Sequence, residues 1–276
     1  VYDATHQSFP LEGVEFPSEA TGEGEWMIAV NETPDEAPTI TAWNLSTTDS
    51  FMVGGAPWAM TPSVEISQDK MAIYAGFRFD WFVIDTSFGT ISPQYRNDVE
   101  IRIQELAIGT TVDGTSYAAI LNDEGISIMY PSGLELAKIP DTAGATALAA
   151  HGDTVIWAIN GTEGPKLGIF SVSSETRQNI FVNASASDET ESGLIDAEIF
   201  VDPANGTITE ISVDGTSIAA VVDVGQIRRV VLVDRVVGNS VIISEPAWDA
   251  WSPHLTTDRI VFTQITAFNP NNQDTN

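Results

Sequence analysis

Residues 245–264 read Glu-Pro-Ala-Trp-Asp-Ala-Trp-Ser-Pro-His-Leu-Thr-Thr-Asp-Arg-Ile-Val-Phe-Thr-Gln. The stretch predicts one β-hairpin: a strand opening with Trp251-Ser252-Pro253, a polar turn carrying Asp258, and a second strand around Ile260-Val261-Phe262. Elsewhere, apolar residues alternate or cluster in short runs between Gly, Pro, Asn and Asp, which is typical of strands. Almost no segment has the periodicity of a helix, so the chain is predicted to be all-β.

Weaker copies of this hairpin recur along the chain. In each copy a polar turn precedes an apolar strand, and the Asp and Gly residues of the turns suit the positive φ angles of tight hairpins. Two copies, at 112–119 and 213–220, share the pattern Val-Asp-Gly-Thr-Ser-X-Ala-Ala. The apolar strands that follow the turns begin at Trp26, Met71, Tyr117, Val155, Ile218 and Ile260.

Two further predicted strands follow each hairpin except the last. The repeat length is near the ~40–45 residues of a four-stranded propeller blade. The predicted blades are residues 13–54, 55–97, 98–140, 141–186 and 187–245, with a sixth at 246–276, and together they form one domain. The polar run 183–192 is interpreted as a loop insertion in the fifth blade.

The sixth predicted blade contains only its hairpin. Residues 1–12, with Val1-Tyr2-Asp3 and then 7–11, have the pattern of a third and a fourth strand. We therefore expect N- and C-terminal strands to complete one blade together and to close the ring, which removes exposed sheet edges. The alternative is that the sequence is a piece of a longer polypeptide.

The C-terminal hairpin, together with the third strands Trp81–Asp85 and Leu232–Asp234, resembles the repeat of the TolB-type, WD40-like β-propeller family. The resemblance extends over the whole chain, but the other copies lack Trp-Ser-Pro before the turn. It implies a six-bladed propeller of four-stranded antiparallel blades around a central channel. It implies no single activity, because propellers support binding, scaffolding and several chemistries.

Composition narrows the classes of partner. The 276 residues include 39 acidic and 11 basic ones, which gives a formal net charge of −28. Such a surface repels nucleic acid and anionic lipid, which are bound through Lys and Arg, and it suits a saline habitat or cation binding. The absence of cysteine excludes disulfides and thiolate metal sites. No apolar stretch approaches the ~20 residues of a membrane helix, so direct membrane insertion is not expected.

Asn-X-Ser/Thr sequons outnumber the two or three expected by chance and favour an extracellular or cell-surface location. The glycosylation candidates are Asn31, Asn44, Asn160, Asn183 and Asn205.

The predicted binding site lies at one mouth of the channel. Trp58 and Trp248 each follow a proline at a step between blades, and Asp249 is next to the second tryptophan. Arg78 and Asp80 lie between the second and third strands of the second blade, on what should be the same face. A sugar or a peptide could stack on the rings, with Arg78 as a charged contact. The alternative interpretation, which we favour, is that the tryptophans fill gaps between blades.

The motifs considered for catalysis and metal binding assign no catalytic residue and no metal ligand. The chain lacks the Gly-X-Ser-X-Gly elbow, and the hydroxyls of its Val-Asp-Gly-Thr-Ser copies are interpreted as turn caps. His6, His151 and His254 are too scattered to predict a zinc site. Calcium is the metal that the composition would favour, at 188–191 or 271–274, but neither run matches an EF-hand loop, and we predict no cofactor.

These observations predict a non-enzymatic extracellular or cell-surface propeller that acts as a binding or scaffold module, alone or within a larger protein or assembly. Its partner would be a protein or a carbohydrate, and self-assembly is left open. The first alternative is the propeller domain of a secreted peptidase or a carbohydrate-active enzyme. The second is a structural subunit of a surface layer or filament.

Overall fold

A computed structural model describes residues 17–23, 26–31, 37–44, 50–53, 62–67, 69–85, 90–161, 164–181, 206–224, 227–236, 240–244, 248–256 and 259–266. Within these ranges every regular element is a strand, so the all-β prediction is confirmed. This part of the chain contains no helix of the length and apolar character that a membrane crossing requires.

The described strands form five four-stranded sheets and one hairpin. The first sheet contains β1 (Pro17–Glu23), β2 (Trp26–Asn31), β3 (Thr39–Asn44) and β4 (Ser50–Met52). The second contains β5 (Ser63–Ser67), β6 (Lys70–Ala75), β7 (Arg78–Asp85) and β8 (Thr90–Asp98). The third contains β9 (Glu105–Thr110), β10 (Ser116–Asn122), β11 (Gly125–Met129) and β12 (Glu135–Ile139). The fourth contains β13 (Ala145–His151), β14 (Thr154–Gly161), β15 (Gly164–Ser171) and β16 (Thr176–Phe181). The fifth contains β17 (Thr207–Asp214), β18 (Ser217–Asp223), β19 (Arg228–Asp234) and β20 (Ser240–Ile242). The hairpin contains β21 (Trp248–Thr256) and β22 (Arg259–Thr266).

Within each sheet the strands lie side by side in chain order and form an antiparallel meander. Consecutive antiparallel strands can be joined by short turns. The predicted third and fourth strands are all present in the five complete sheets. Among the described residues the C-terminal hairpin has no third or fourth strand, and residues 1–12 and 183–192 lie outside the described ranges. The fold class is confirmed, whereas six closed blades remain a prediction.

A β-bulge recurs near the start of the first strand of three sheets. The register shifts between Pro17 and Glu19 in β1, between Ala145 and Ala147 in β13, and between Ile208 and Glu210 in β17. A bulge bends its strand and increases the local twist. The residue without a partner is Ser18, Thr146 or Thr209, so each bulge carries a hydroxyl side chain, a signal that the sequence analysis missed.

The two copies of Val-Asp-Gly-Thr-Ser fold differently. Asp214 pairs with Ser217 across a two-residue turn, and Val213 is half-buried against the core. In the other copy Thr111 bonds to Thr115 across three residues, which leaves Val112 87% exposed. The Thr111 hydroxyl and the Thr115 N–H both donate to Asp113 Oδ1, and these two bonds lower the pKa of the Asp113 carboxyl group. The same five residues therefore contribute to a three-residue loop in one copy and to a two-residue turn in the other.

The chain divides into two compact units, one comprising Val1–Ile108, Ser116–Asp123 and Ser127–Lys138, the other Gly109–Thr115, Glu124–Ile126 and Ile139–Asn276. In the first unit, buried clusters lie between the first and second sheets and between the second and third sheets, with Trp26, Met71 and Trp81 among their members. In the second unit, the largest cluster joins the fourth and fifth sheets. A smaller cluster there packs Ala250, Ile260 and Phe262 of the C-terminal hairpin against β18 and β19. Each core is thus a contact between consecutive sheets, as in repeat architectures.

Candidate functional site

Arg78 and Asp80 form an ion-pair cluster in the first unit. Both residues lie within β7, and not between the second and third strands as predicted. They are two residues apart, so both side chains lie on one face of the sheet. The Arg78 Nε donates to Asp80 Oδ1 at 2.9 Å, and a second guanidinium nitrogen donates to Oδ2. Asp80 is opposite Arg96 of β8, whose Nε lies 3.4 Å from Asp80 Oδ1. The bond to Asp80 raises the pKa of Arg78.

The cluster places its carboxylate in the interior and one of its guanidiniums at the surface. The Asp80 side chain is only 7% exposed, whereas that of Arg96 is 49% exposed. Phe77, next to Arg78 in the β6–β7 turn, is also exposed. Because two guanidiniums contact its carboxylate, Asp80 fixes the positions of Arg78 and Arg96. The sequence analysis missed Arg96, which the strand register brings to Asp80.

Asp249 forms a second cluster, in the second unit, with Arg228 of β19. The Arg228 backbone N–H donates to Asp249 Oδ1 at 2.7 Å, and its side chain donates to Oδ1 from Nε at 3.1 Å and to Oδ2 at 2.7 Å. The hydrogen bonds from Arg228 lower the pKa of Asp249, and the same pairing raises the pKa of Arg228. This fork geometry fixes the plane of the guanidinium.

Trp251 completes this cluster. The Arg228 Cζ lies 4.5 Å from the centroid of the Trp251 ring, within the range of a cation–π contact. Asp249 and Trp251 are two residues apart and share one face of β21, whereas Trp248 shares the other face with the buried Ala250. Arg228 and Trp251 were not predicted as site residues. The spacing Asp249-X-Trp251 could have indicated that these two side chains share one face of a strand.

The geometry of β21 gives each residue of Trp251-Ser252-Pro253 a physical role. Trp251 stacks on Arg228, and the register shifts between Trp251 and His254. Ser252 has φ +50°, and its N–H donates to Glu210 Oε2 at 2.8 Å. Pro253 lies inside the bulge, where the missing N–H removes no ladder hydrogen bond. The motif therefore ends regular pairing and presents Trp251 beside Arg228 and Asp249. These three residues are called the β21 cluster below.

The remaining predicted binding residues have separate outcomes. Trp58 lies outside the described residues. Trp248 is half-buried at the start of β21. Participation of Trp58, Arg78, Asp80, Trp248 and Asp249 in one channel-mouth site stays a prediction.

Three of the five sequon asparagines lie within the described residues, and they make structural contacts. Asn31 and Asn44 are buried, and the Asn31 Nδ2 donates to Thr41 Oγ1 at 3.0 Å. Asn160 of β14 forms two hydrogen bonds to the backbone of Ile208 in β17. Its Nδ2 donates to the Ile208 carbonyl at 3.1 Å, and its Oδ1 accepts from the Ile208 N–H at 2.8 Å. Asn183 and Asn205 lie outside the described ranges. Glycan attachment stays a prediction at all five positions.

Among the described residues, no group of three or more His, Cys, Asp or Glu side chains is arranged to hold a metal ion. His151 Nε2 lies 3.6 Å from Asp214 Oδ1, and His254 is exposed on β21. The two acidic or amide-rich runs considered for calcium, 188–191 and 271–274, and His6 lie outside the described residues.

Comparison with known proteins identifies the fold. No family model and no curated protein matches the chain. Among solved structures, a putative TolB from Agrobacterium tumefaciens matches with a TM-score of 0.53 and 14% identity, over 83% of this chain and 78% of that one. An oligogalacturonate lyase in complex with manganese matches with a TM-score of 0.52 and 10% identity, over 83% and 65%. The Dos1 propeller matches with a TM-score of 0.51 and 10% identity, over 88% and 61%.

These matches show that the fold is a β-propeller, so the predicted resemblance is confirmed at the level of the fold. The chain spans half the length of a solved TolB from Acinetobacter baumannii, which matches with a TM-score of 0.47 and 11% identity over 78% of this chain. Identities this low carry no information about residues that bind or react.

Proposed function

We propose that the chain is a six-bladed β-propeller that acts as a non-enzymatic binding or scaffold module, outside the cell or on its surface. The observation that carries the proposal is the β21 cluster. There a half-buried tryptophan is stacked on a guanidinium whose plane is fixed by a carboxylate. Such a pre-ordered aromatic and cationic pair suits a sugar ring or a peptide side chain, because little conformational entropy is lost on binding.

The proposed ring is completed by residues 1–12, which supply the third and fourth strands of the sixth blade. Two features support this arrangement. The five other sheets have four strands, whereas the described C-terminal hairpin has two. On β22, Val261 and Ile265 are 64% and 54% exposed, and a neighbouring strand or sheet would cover such apolar side chains.

Deletion of residues 1–12 tests the ring. We expect the shortened chain to unfold at a lower temperature and to self-associate, since its hairpin edge would remain open. Calorimetry and sedimentation measure both effects. A shortened chain that is monomeric and as stable as the full chain would contradict closure by this segment.

Binding is tested with labelled protein on a carbohydrate array and on intact cells of the source organism. We expect Trp251→Ala to reduce binding about tenfold or more, since an anchoring aromatic side chain is worth roughly 2 kcal/mol. Tyr95→Ala, at an exposed aromatic residue of the first unit, is the matched control and should bind like the wild type. Equal binding by Trp251→Ala and wild type would overturn the proposed site.

The alternatives and the location are tested by the mass of the native protein before and after glycan removal. A mass near 29.6 kDa supports a free-standing module or an assembling subunit, and a much larger mass supports a domain of a peptidase or a carbohydrate-active enzyme. A mass excess lost on deglycosylation supports the extracellular or surface location. A filament or surface-layer subunit would be recovered as a large assembly in which the chain is the main component.

A further inference from the structure

The second unit contains a cavity of about 520 Å³ at one end of the fourth sheet, beside the turn that follows β19. Its polar lining consists of two guanidiniums, three hydroxyls and one amide: Arg177, Arg235, Thr154, Ser171, Thr176 and Gln178. The chain has only 11 basic residues against 39 acidic ones, so two arginines in one cavity are a marked local concentration of positive charge. None of these residues belongs to the β21 cluster.

Arg177 is held by contacts that leave its charge only weakly compensated. Its Cζ lies 5.3 Å from the centroid of the buried Trp157 ring, and one terminal nitrogen donates to the Pro140 carbonyl at 2.7 Å. Its carboxylate neighbour, Asp141, is 3.9 Å away and 91% exposed, so water screens that attraction. The stack and the carbonyl bond fix the guanidinium while other N–H donors remain available.

Arg235 is held in the same manner. Its side chain donates to Thr154 Oγ1 at 2.9 Å, and its backbone N–H donates to the Thr216 carbonyl at 2.9 Å. Within the described part of the chain, no carboxylate pairs with Arg235. Both guanidiniums are therefore anchored by neutral oxygen atoms, the arrangement expected where an incoming anion supplies the counter-charge.

The lining also limits the charge of that anion. The Ser171 hydroxyl donates to Asp153 Oδ2 at 2.5 Å, which places a carboxylate directly behind the cavity wall. This negative charge opposes a dianion more strongly than a monoanion. The oxygen atoms of Ser171, Thr154 and Thr176 and the Gln178 amide match the hydroxyl groups of a polar ligand.

We propose that this cavity binds a small carboxylate that carries several hydroxyl groups, such as a sugar acid. The carboxylate bonds to Arg177 and Arg235, and the hydroxyl groups bond to the Ser, Thr and Gln side chains. The volume lies within the ~300–1,000 Å³ of small-molecule pockets. The inference stands independently of the proposed β21 site, since it uses different residues and a different ligand chemistry.

Isothermal titration at low ionic strength tests the proposal with D-glucuronate and D-gluconate as probes. D-Glucose is the uncharged comparison, and inorganic phosphate is the comparison for a more highly charged anion. We expect at least one of the two carboxylates to bind. Glucose should bind at least about tenfold more weakly because it forms no charge-assisted hydrogen bond. Phosphate should also bind at least about tenfold more weakly, because the Asp153 carboxylate opposes its higher charge. Binding should weaken as salt is added.

Variants identify the site. Arg177→Gln and Arg235→Gln should each weaken carboxylate binding about tenfold, the effect of roughly 1.4 kcal/mol. Arg102→Gln, at an exposed arginine outside the cavity, makes the same change in net charge and should leave binding unaltered. Arg235→Lys keeps the charge and loses the forked geometry, so it should weaken binding without altering the thermal midpoint, even if a glutamine variant fails to fold.

Three outcomes would overturn the proposal. The first is that neither carboxylate binds the wild type at millimolar concentration. The second is that phosphate binds more tightly than both. The third is that Arg235→Lys, folded as the wild type is, keeps wild-type affinity.

Discussion

Asp80 illustrates how single residues control charge in this acidic chain. Its buried carboxylate is paired with Arg78, whose side chain is 18% exposed, and with the half-exposed Arg96. Removing one partner of a buried ion pair leaves the other charge without compensation, which costs more than the pair itself contributes. Loss of the buried Asp80 carboxylate should therefore cost more stability than loss of the half-exposed Arg96 side chain.

We predict that Asp80→Ala lowers the free energy of unfolding by about 2–4 kcal/mol, because Arg78 would lose its counter-charge in a mostly buried position. Arg96→Ala should cost less than about 1 kcal/mol, since the Arg96 side chain is largely solvated. Urea denaturation of the two variants and the wild type measures both values. Equal losses would contradict the distinction between a buried and a surface partner.

Asp249 makes stability depend on pH. The hydrogen bonds from Arg228 lower the pKa of Asp249 in the folded state relative to the unfolded value. A lowered folded pKa adds stability above the unfolded pKa of about 3.9, and this contribution is lost as the pH falls through the folded pKa.

Asp249→Asn should therefore be less stable than the wild type by about 1 kcal/mol at neutral pH, a value reduced for solvent exposure. The difference should shrink as the pH falls below about 4, where the wild-type carboxyl group becomes protonated. Denaturation curves at pH 7, 5 and 3 give the comparison. A difference that is constant across this range would show that the Arg228–Asp249 pair is not its source.

At the scale of elements, the fourth sheet depends on a close contact between two neighbouring strands. Gly168 of β15 is directly opposite Trp157 of β14, and a Cβ atom at Gly168 would lie 2.1 Å from Cε2 of the indole. Trp157 is fully buried and also supports Arg177 through the ring face. The absence of a side chain at Gly168 therefore positions both the core ring and one wall of the cavity.

We predict that Gly168→Ala destabilises the protein by about 1–3 kcal/mol through overpacking. It should also weaken carboxylate binding, because the displaced indole moves Arg177. A second change, Trp157→Phe, removes the atoms that clash and an indole N–H that has no hydrogen-bond partner, so it should recover part of the stability but not the binding. If Gly168→Ala is as stable as the wild type, the contact does not determine the position of the ring.

Periodicity and turn chemistry predict elements well in this chain and predict contacts between elements poorly. The strands after each turn and the third and fourth strands were all predictable. Their signals, the alternation of apolar and polar residues and the Gly or Asp residues of turns, are local in the sequence. The register of the two Val-Asp-Gly-Thr-Ser copies was not predictable. It depends on the preceding residue, since Thr111 bonds within its own turn, whereas Ser212 Oγ accepts from the Leu255 N–H of β21.

The candidate sites show the same limit. Arg78 and Asp80 are close in sequence, and their pairing follows from strand alternation. Arg228 lies 21 positions from Asp249, and Arg177 lies 58 positions from Arg235, so only the packing of sheets brings each pair to one place. The proline nearby led to the prediction of Trp248 as a binding residue. The bulge at Trp251-Ser252-Pro253 instead makes Trp251 the ring that contacts the Arg228 guanidinium.

At the scale of the whole molecule, the net charge of −28 opposes the compact state through self-repulsion. We predict that the melting temperature rises by several degrees between 10 mM and 0.5 M NaCl, as the Debye length falls from about 30 Å to about 4 Å. Calcium chloride at matched ionic strength serves as the comparison. A larger rise with calcium would indicate a specific cation site, and no rise with either salt would contradict the role assigned to repulsion.

The different turn lengths of the two Val-Asp-Gly-Thr-Ser copies have a consequence for how such a chain diversifies. Two copies of the same residue pattern can place an equivalent side chain in the core or at the surface, as Val213 and Val112 illustrate. Here the residue that differs lies just before the shared pattern. Duplicated segments can thus present different surfaces before the residues within the shared pattern diverge. Alignment of the repeats by identity alone would then superimpose positions that point in opposite directions.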